Sequence, residues 1–149
     1  SSLENVTAEP QPHQRLGEHL YFPLGDDDLS SLQVLSPTNE LRFEDQATRS
    51  QVAANGFFWE SFVGDAIAQF ADKKLMIHST VEIIDKTRKP DVTDPGPMAM
   101  MVWRPEGSPF ICLEPLVGYG PEGTDTTTGG FTLAVGAMAT MRTTIKIIS

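Results

Sequence analysis

Two stretches of strict two-residue alternation constrain the fold of this chain more than any other feature of its sequence. Across 75–84, Leu75, Ile77, Val81 and Ile83 share one parity, while His78, Thr80 and Glu82, with Lys74 just before them, share the other. Successive side chains of an extended chain point to opposite faces, so this pattern predicts a strand with one face buried and one in water. The stretch 140–148 repeats the design, with Met141, Ile145 and Ile147 on one face and Arg142, Thr144 and Lys146 on the other. Its β-branched residues suit a pleated surface.

Other segments extend this reading. The runs 98–103 and 110–113 are apolar on both parities, as in central strands covered on both sides, and Arg104-Pro105-Glu106-Gly107-Ser108-Pro109 supplies the turn of a hairpin between them. A shorter strand is expected at 131–135, reached through a Gly/Thr-rich loop at 118–130 whose length suits either a binding role or plain mobility. Helical signals are sparse. In 65–70, Ala66, Ile67 and Phe70 fit one side of a helical turn, yet Ile67 and Gln69 also suit a strand, and so short a run cannot decide by period. Pro90, Pro95 and Pro97 punctuate an irregular link, and no internal repeat or heptad is present. The expected fold is all-β, an antiparallel β-sandwich over 17–149, preceded by a tail or lead-in segment at 1–16 that carries Pro10 and Pro12 among polar residues.

The 149 residues suffice for one domain. A formal net charge of -9, with no Lys/Arg cluster, argues against nucleic acid and anionic membrane as partners, because phosphate attracts cationic surfaces. No apolar run approaches the ~20 residues that span a bilayer. The acidity is concentrated at the start: within 1–28, Glu4, Glu9, Glu18, Asp26, Asp27 and Asp28 are set against Arg15 alone. Cys112 is the single cysteine, which leaves no intramolecular disulfide and no Cys-rich zinc site. The first residues show no signal peptide, which favours the cytoplasm, whereas the Asn5-Val6-Thr7 sequon fits a secreted chain whose signal has been removed.

Glu114 is the first candidate for chemistry. It closes the apolar run Phe110-Ile111-Cys112-Leu113, and Pro115 after it keeps its backbone extended. A carboxylate at the end of a buried strand is partly desolvated, which suits it to act as a general base. The alternative is a strand-end glutamate turned to water or paired with Arg104. His13, His19 and His78 lack zinc-ligand spacing, so no metal is expected; His19 and His78 read equally as ordinary strand histidines. Asp26-Asp27-Asp28 lacks the spaced oxygens and glycine of a calcium loop and reads as a solvated turn. Phe57, Phe58 and Trp59 suit a stacking platform for a sugar ring or a core cluster. Cys112, on an apolar strand without a cationic neighbour, reads as a small buried hydrophobe rather than a nucleophile.

A family resemblance enters through four elements taken together. Met100-Met101-Val102-Trp103-Arg104-Pro105, a short turn and Pro109-Phe110-Ile111-Cys112-Leu113-Glu114-Pro115 resemble the C-terminal signature of the aldose 1-epimerase (galactose mutarotase-like) family, in which a "W-x-P" turn leads into a "C-L-E-P" strand. His19-Leu20-Tyr21-Phe22-Pro23-Leu24 is similar to that family's "H-P-Y-F-x-L" motif, Asp65-Ala66-Ile67 with Phe70 to its "D-A-hydrophobic" segment, and 131–148 to its closing strand, Gly turn and last strand. The order holds over about 17–148.

The resemblance implies half of a large β-sandwich that binds a pyranose and interconverts its anomers without a metal or organic cofactor. It implies Glu114 as the base on the anomeric hydroxyl, His19 as the acid on the ring oxygen and Asp65 as an acceptor for a sugar hydroxyl. Tyr21, Trp59, Trp103 and Arg104 complete the candidate substrate contacts. Such chemistry needs an acid and a base on opposite sides of one acetal centre. The family domain is roughly double this length, and its first half, which adds another histidine and usually an arginine to the pocket, has no counterpart here. Leu20 replaces the motif proline, and Leu116-Val117-Gly118 stands where relatives place an aromatic or polar residue. A fragment, a short protein that completes its sandwich as a homodimer or with a partner chain, and a descendant with a new task all fit this pattern. The function classes that follow are an anomer epimerase, a non-catalytic carbohydrate-binding or interaction module, and an isomerase or cyclase of another small molecule.

Overall fold

In the computed structural model the described residues are 1–7, 9, 11–23, 32–37, 39–59, 62–70, 73–85, 98–118 and 130–148. The expected loop at 118–130, the prolines of the 86–97 link and Asp26-Asp27-Asp28 fall largely or wholly outside them. The architecture is all-β and antiparallel. In chain order the strands are β1 (Ser2–Glu4), β2 (Gln11–Gln14), β3 (Leu16–Gly17), β4 (Leu20–Pro23), β5 (Gln33–Leu35) and β6 (Glu40–Arg42). A helix, α1 (Gln46–Ala54), precedes β7 (Phe57–Trp59), β8 (Asp65–Phe70), β9 (Lys73–Asp85), β10 (Met98–Trp103), β11 (Phe110–Val117), β12 (Phe131–Leu133) and β13 (Ala137–Ile147).

The two alternating stretches become each other's partners. β13 runs antiparallel to β9 from Ala137 opposite Asp85 to Ile147 opposite Leu75, the spine of a six-stranded sheet ordered β1-β13-β9-β8-β5-β6. The ambiguous 65–70 run is a strand: β8 lies between β5 and β9, and Ala66, Ala68 and Phe70 alternate inward. Gly64 leads into it with φ 96°, where a Cβ would meet Ser79 O at 2.7 Å, so a left-handed residue without a side chain is required. The second sheet is built on the expected hairpin, β10 with β11 from Met98 opposite Val117 to Trp103 opposite Cys112, flanked by β7 on one side and by β3 and β4 on the other. A small third sheet joins β12 to β2.

The sheets enclose a core in two sections. In the larger, Val34, Ala66, Ala68, Phe70, Leu75 and Ile77 of the first sheet meet Trp59, Met100, Val102, Ile111 and Leu113 of the second. The smaller gathers Leu16, Val117, Phe131, Leu133, Ala137, Ala139 and Met141 at the other end. The lead-in at 1–16 is built into the sheets, β1 against β13 and β2 against β12. This has a consequence for the sequon. Asn5 is 3% exposed and its Nδ2 donates to Glu9 O at 2.9 Å and Leu133 O at 2.8 Å, so the folded chain has no room for a glycan there. Among the described residues no helix is long and apolar enough to cross a membrane.

The helix α1 had no counterpart in the sequence reading. Asp45 caps it, accepting from Thr48 N at 2.7 Å, and Val52 is its single buried residue, so no amphipathic stripe marks it. Its contact with the hairpin runs through Arg104 N, which donates to Val52 O at 3.2 Å.

Candidate functional site

Glu114 owes its position to the pleat and to its proline neighbour. Ile111, Leu113 and Val117 of β11 point into the core, so by the two-residue period Cys112, Glu114 and Leu116 lie on the opposite face of the second sheet. The chain from 16 to 23 runs antiparallel beside β11 in one continuous register. Gly17 pairs with Leu116, Glu18 N donates to Pro115 O at 3.2 Å, and Leu20 pairs with Leu113, which puts His19 directly opposite Glu114. Pro115 has no N–H to return, so the ladder breaks there and β3 and β4 are separate strands. His19 sits at that break.

The cross-strand pair is in contact, His19 Nδ1 to Glu114 Oε1 at 3.1 Å, with the carboxylate side chain only 9% exposed and the imidazole 62% exposed. Cys112 Sγ lies 4.0 Å from the same Nδ1. Tyr21 opposes Cys112, stacks on His19 with ring centroids 6.3 Å apart and meets Phe110 edge-on at 5.3 Å. Burial, followed by the neighbouring Glu114, pushes the Cys112 thiol up to about 12, so the thiol keeps its proton at neutral pH and is not a nucleophile. The Tyr21 phenol is likewise held above its ordinary range, first by the negative charge Cys112 carries when ionised, then by desolvation and Glu114. On the other side of β11, Met101 opposes Glu114 and Trp103 opposes Cys112, so both share this face. What the arrangement can do chemically is accept a proton at a buried carboxylate and exchange one through an imidazole open to solvent.

The other candidates are dispersed. Trp59 opposes Met100, is buried and packs in the core, on the face of the sheet turned away from Glu114; as a sugar contact at this site it is set aside. Asp65 projects from the outer face of the first sheet, paired with His78 Nδ1 at 2.6 Å and bordering an apolar cleft of about 270 Å³ lined by Leu35, Pro37, Ile67 and Met76. The whole sandwich separates it from Glu114, so it is no acceptor for a sugar held there. Arg104 lies past the end of β10, its Nε donating to Ser108 O at 3.1 Å inside the hairpin turn. Glu114, His19, Tyr21 and Trp103 are therefore the candidates that share one face. Met101 and Cys112 join them; the in-register pairing of "C-L-E" against "H-L-Y" is the signal that would have found Cys112, and the register of the 98–113 hairpin the one that would have found Met101. Comparison with protein-family models, with curated proteins and with solved structures finds no match to this chain.

Proposed function

We propose that this chain carries the acid–base face of a mutarotase-like site, acting on the anomeric centre of a pyranose. The observation that carries the reading is the buried Glu114 carboxylate in contact with an exposed His19 imidazole, on a sheet face shared with Tyr21 and Trp103. Glu114 takes the proton of the anomeric hydroxyl as its oxygen becomes the carbonyl, the bond from the anomeric carbon to the ring oxygen breaks, and His19 supplies the proton that the ring oxygen gains. Rotation about the bond to the next carbon and reversal of both transfers close the other anomer, with no net change in protons. For a sugar to enter, the 3.1 Å contact must open. The exposure of His19 leaves its side chain free to swing toward solvent while Glu114 stays fixed on its strand.

A second reading rests on a different observation: His19 and Glu114 touch rather than flank a space, and Asp65 and Trp59 lie elsewhere, which favours a carbohydrate-binding or interaction module. Under the resemblance, the missing half of the family's sandwich comes from the rest of a longer chain, from a second copy or from a partner chain, or is lost in a descendant with a new task. Exchange between glucose or galactose anomers, followed by NMR, separates the readings. The enzyme reading expects exchange faster than in buffer, lowered about 10²–10⁴-fold in Glu114→Gln and in His19→Gln. Sugar-induced shifts without acceleration leave the binding module, and neither effect removes the carbohydrate from both readings.

A further inference from the structure

Three different ligand types converge at the break between β3 and β4. One ligand atom from each of His19, Cys112 and Glu114 falls within 4.8 Å of the others, with His19 Nδ1 3.1 Å from Glu114 Oε1 and 4.0 Å from Cys112 Sγ. In a tetrahedral zinc site, bonds of about 2.0–2.1 Å to nitrogen and oxygen and about 2.3 Å to sulfur put neighbouring ligand atoms about 3.3–3.6 Å apart. These two separations lie near those values, and the third, between Cys112 and Glu114, is within 4.8 Å; a turn of the Glu114 carboxylate about its own side-chain bonds and a shift of the exposed His19 ring would bring all three to bonding distance of one ion.

We infer that His19, Cys112 and Glu114 form a binding site for a thiolate-preferring divalent cation of the zinc class, with a fourth position open to water. The donor set selects the ion. A thiol and an imidazole with one carboxylate suit zinc and its neighbours and disfavour magnesium and calcium, which take oxygen ligands. Charge also closes: a dication balances one carboxylate and one thiolate, leaving a neutral group at a buried position. Binding forms one metal–sulfur, one metal–nitrogen and one metal–oxygen bond, and the Cys112 proton leaves to solvent. The site is rigid where it is buried, since Cys112 and Glu114 are two residues apart on one central strand. A consequence rests on the sugar reading: the ion would occupy the carboxylate and the imidazole nitrogen that anomer exchange needs, so it acts as an inhibitor there.

Cobalt(II) serves as a visible substitute for zinc, titrated into the metal-free chain and read by its near-ultraviolet thiolate-to-cobalt charge-transfer absorption. The expected result is one cobalt per chain, displaced by zinc and not by magnesium or calcium. Cys112→Ser should abolish the band and weaken binding about 100-fold or more, at or beyond the 10–100-fold that loss of a supporting contact costs. His19→Ala, at an exposed position where the fold is not at stake, should weaken it comparably. Absence of a thiolate band, or affinity unchanged in both variants, overturns the site. The absorption reads the metal without reference to sugar. Cobalt binding without any anomer exchange overturns the sugar reading alone, and exchange without cobalt binding overturns the metal site alone.

Discussion

Register sets His19 opposite Glu114, and a single missing hydrogen breaks the ladder beside the pair. Pro115 withdraws one N–H from an otherwise continuous antiparallel ladder, and the histidine opposite the preceding residue is left at the gap, exposed on one side and against a buried carboxylate on the other. Cys112, two residues back on the same face, carries a consequence that can be measured in chelator-treated protein. Its thiol is pushed by burial and by Glu114 from an ordinary 9.0 up to about 12, which leaves very little thiolate at neutral pH. Alkylation of the native chain at neutral pH should be much slower than that of the unfolded chain, and a native rate equal to the unfolded rate would remove the argument. The sign for stability follows from the same shift. A thiol that holds its proton more tightly when folded stabilises the native state below its unfolded value and loses that contribution as pH rises from about 9 toward 12. Denaturant midpoints of the parent chain should therefore fall across that window more steeply than those of Cys112→Ala.

Among the elements, legibility followed burial. β9 and β13 were readable because their apolar residues recur at the period a strand imposes; in β13, however, only Ala137, Ala139 and Met141 enter the core, while Ile145 and Ile147, expected on the buried face, keep the period but lie exposed beyond the facing sheet. The run 65–70 was not, because Ala66, Ile67 and Phe70 satisfy a helical turn as well, and only the neighbours β5 and β9 decide for a strand. The helix α1 was invisible for the opposite reason: one buried residue, Val52, makes no pattern. What holds its start is Asp45, whose carboxylate accepts from Thr48 N at 2.7 Å and from Thr48 Oγ1 at 2.5 Å. Those bonds, the side-chain one first, hold the Asp45 carboxyl below its ordinary 3.8. Asp45→Ala should lower the stability, as loss of an N-cap acceptor does. Because the folded value is depressed, the contribution is present above the unfolded value and is lost as pH falls through the folded one. Parent and variant should then converge in stability below about pH 3.8, and a gap that persists in acid would assign the cost to something other than the charge.

For the molecule as a whole, the layered arrangement sorts the candidates by face and, among the described residues, leaves one edge unpaired. Beyond Met141, β13 pairs with β9 alone among the described residues, and Ile145 and Ile147 on that segment are 40% and 83% exposed. An unpaired edge with apolar side chains is a template for another strand. We expect a dimer formed through this edge, seen as a doubled mass in sedimentation equilibrium at micromolar concentration and lost in Ile147→Lys. A compact monomer for the parent chain would overturn the dimer.

The sequence by itself determined the all-β class, the two long alternating strands, the 98–113 hairpin with its turn, and the chemical types gathered in the "H-L-Y" and "C-L-E-P" segments. These follow from local rules, the period of an extended chain and the turn preferences of Pro and Gly, which need no knowledge of neighbours. Which residues share a site is a property of register and of sheet face. Only the packed sandwich sent Trp59 into the core and Asp65 to the far sheet, and only it brought Cys112 and His19 to Glu114. A two-residue period says that side chains alternate, but not which parity meets another layer, and that choice is made by the hydrophobic contacts between sheets.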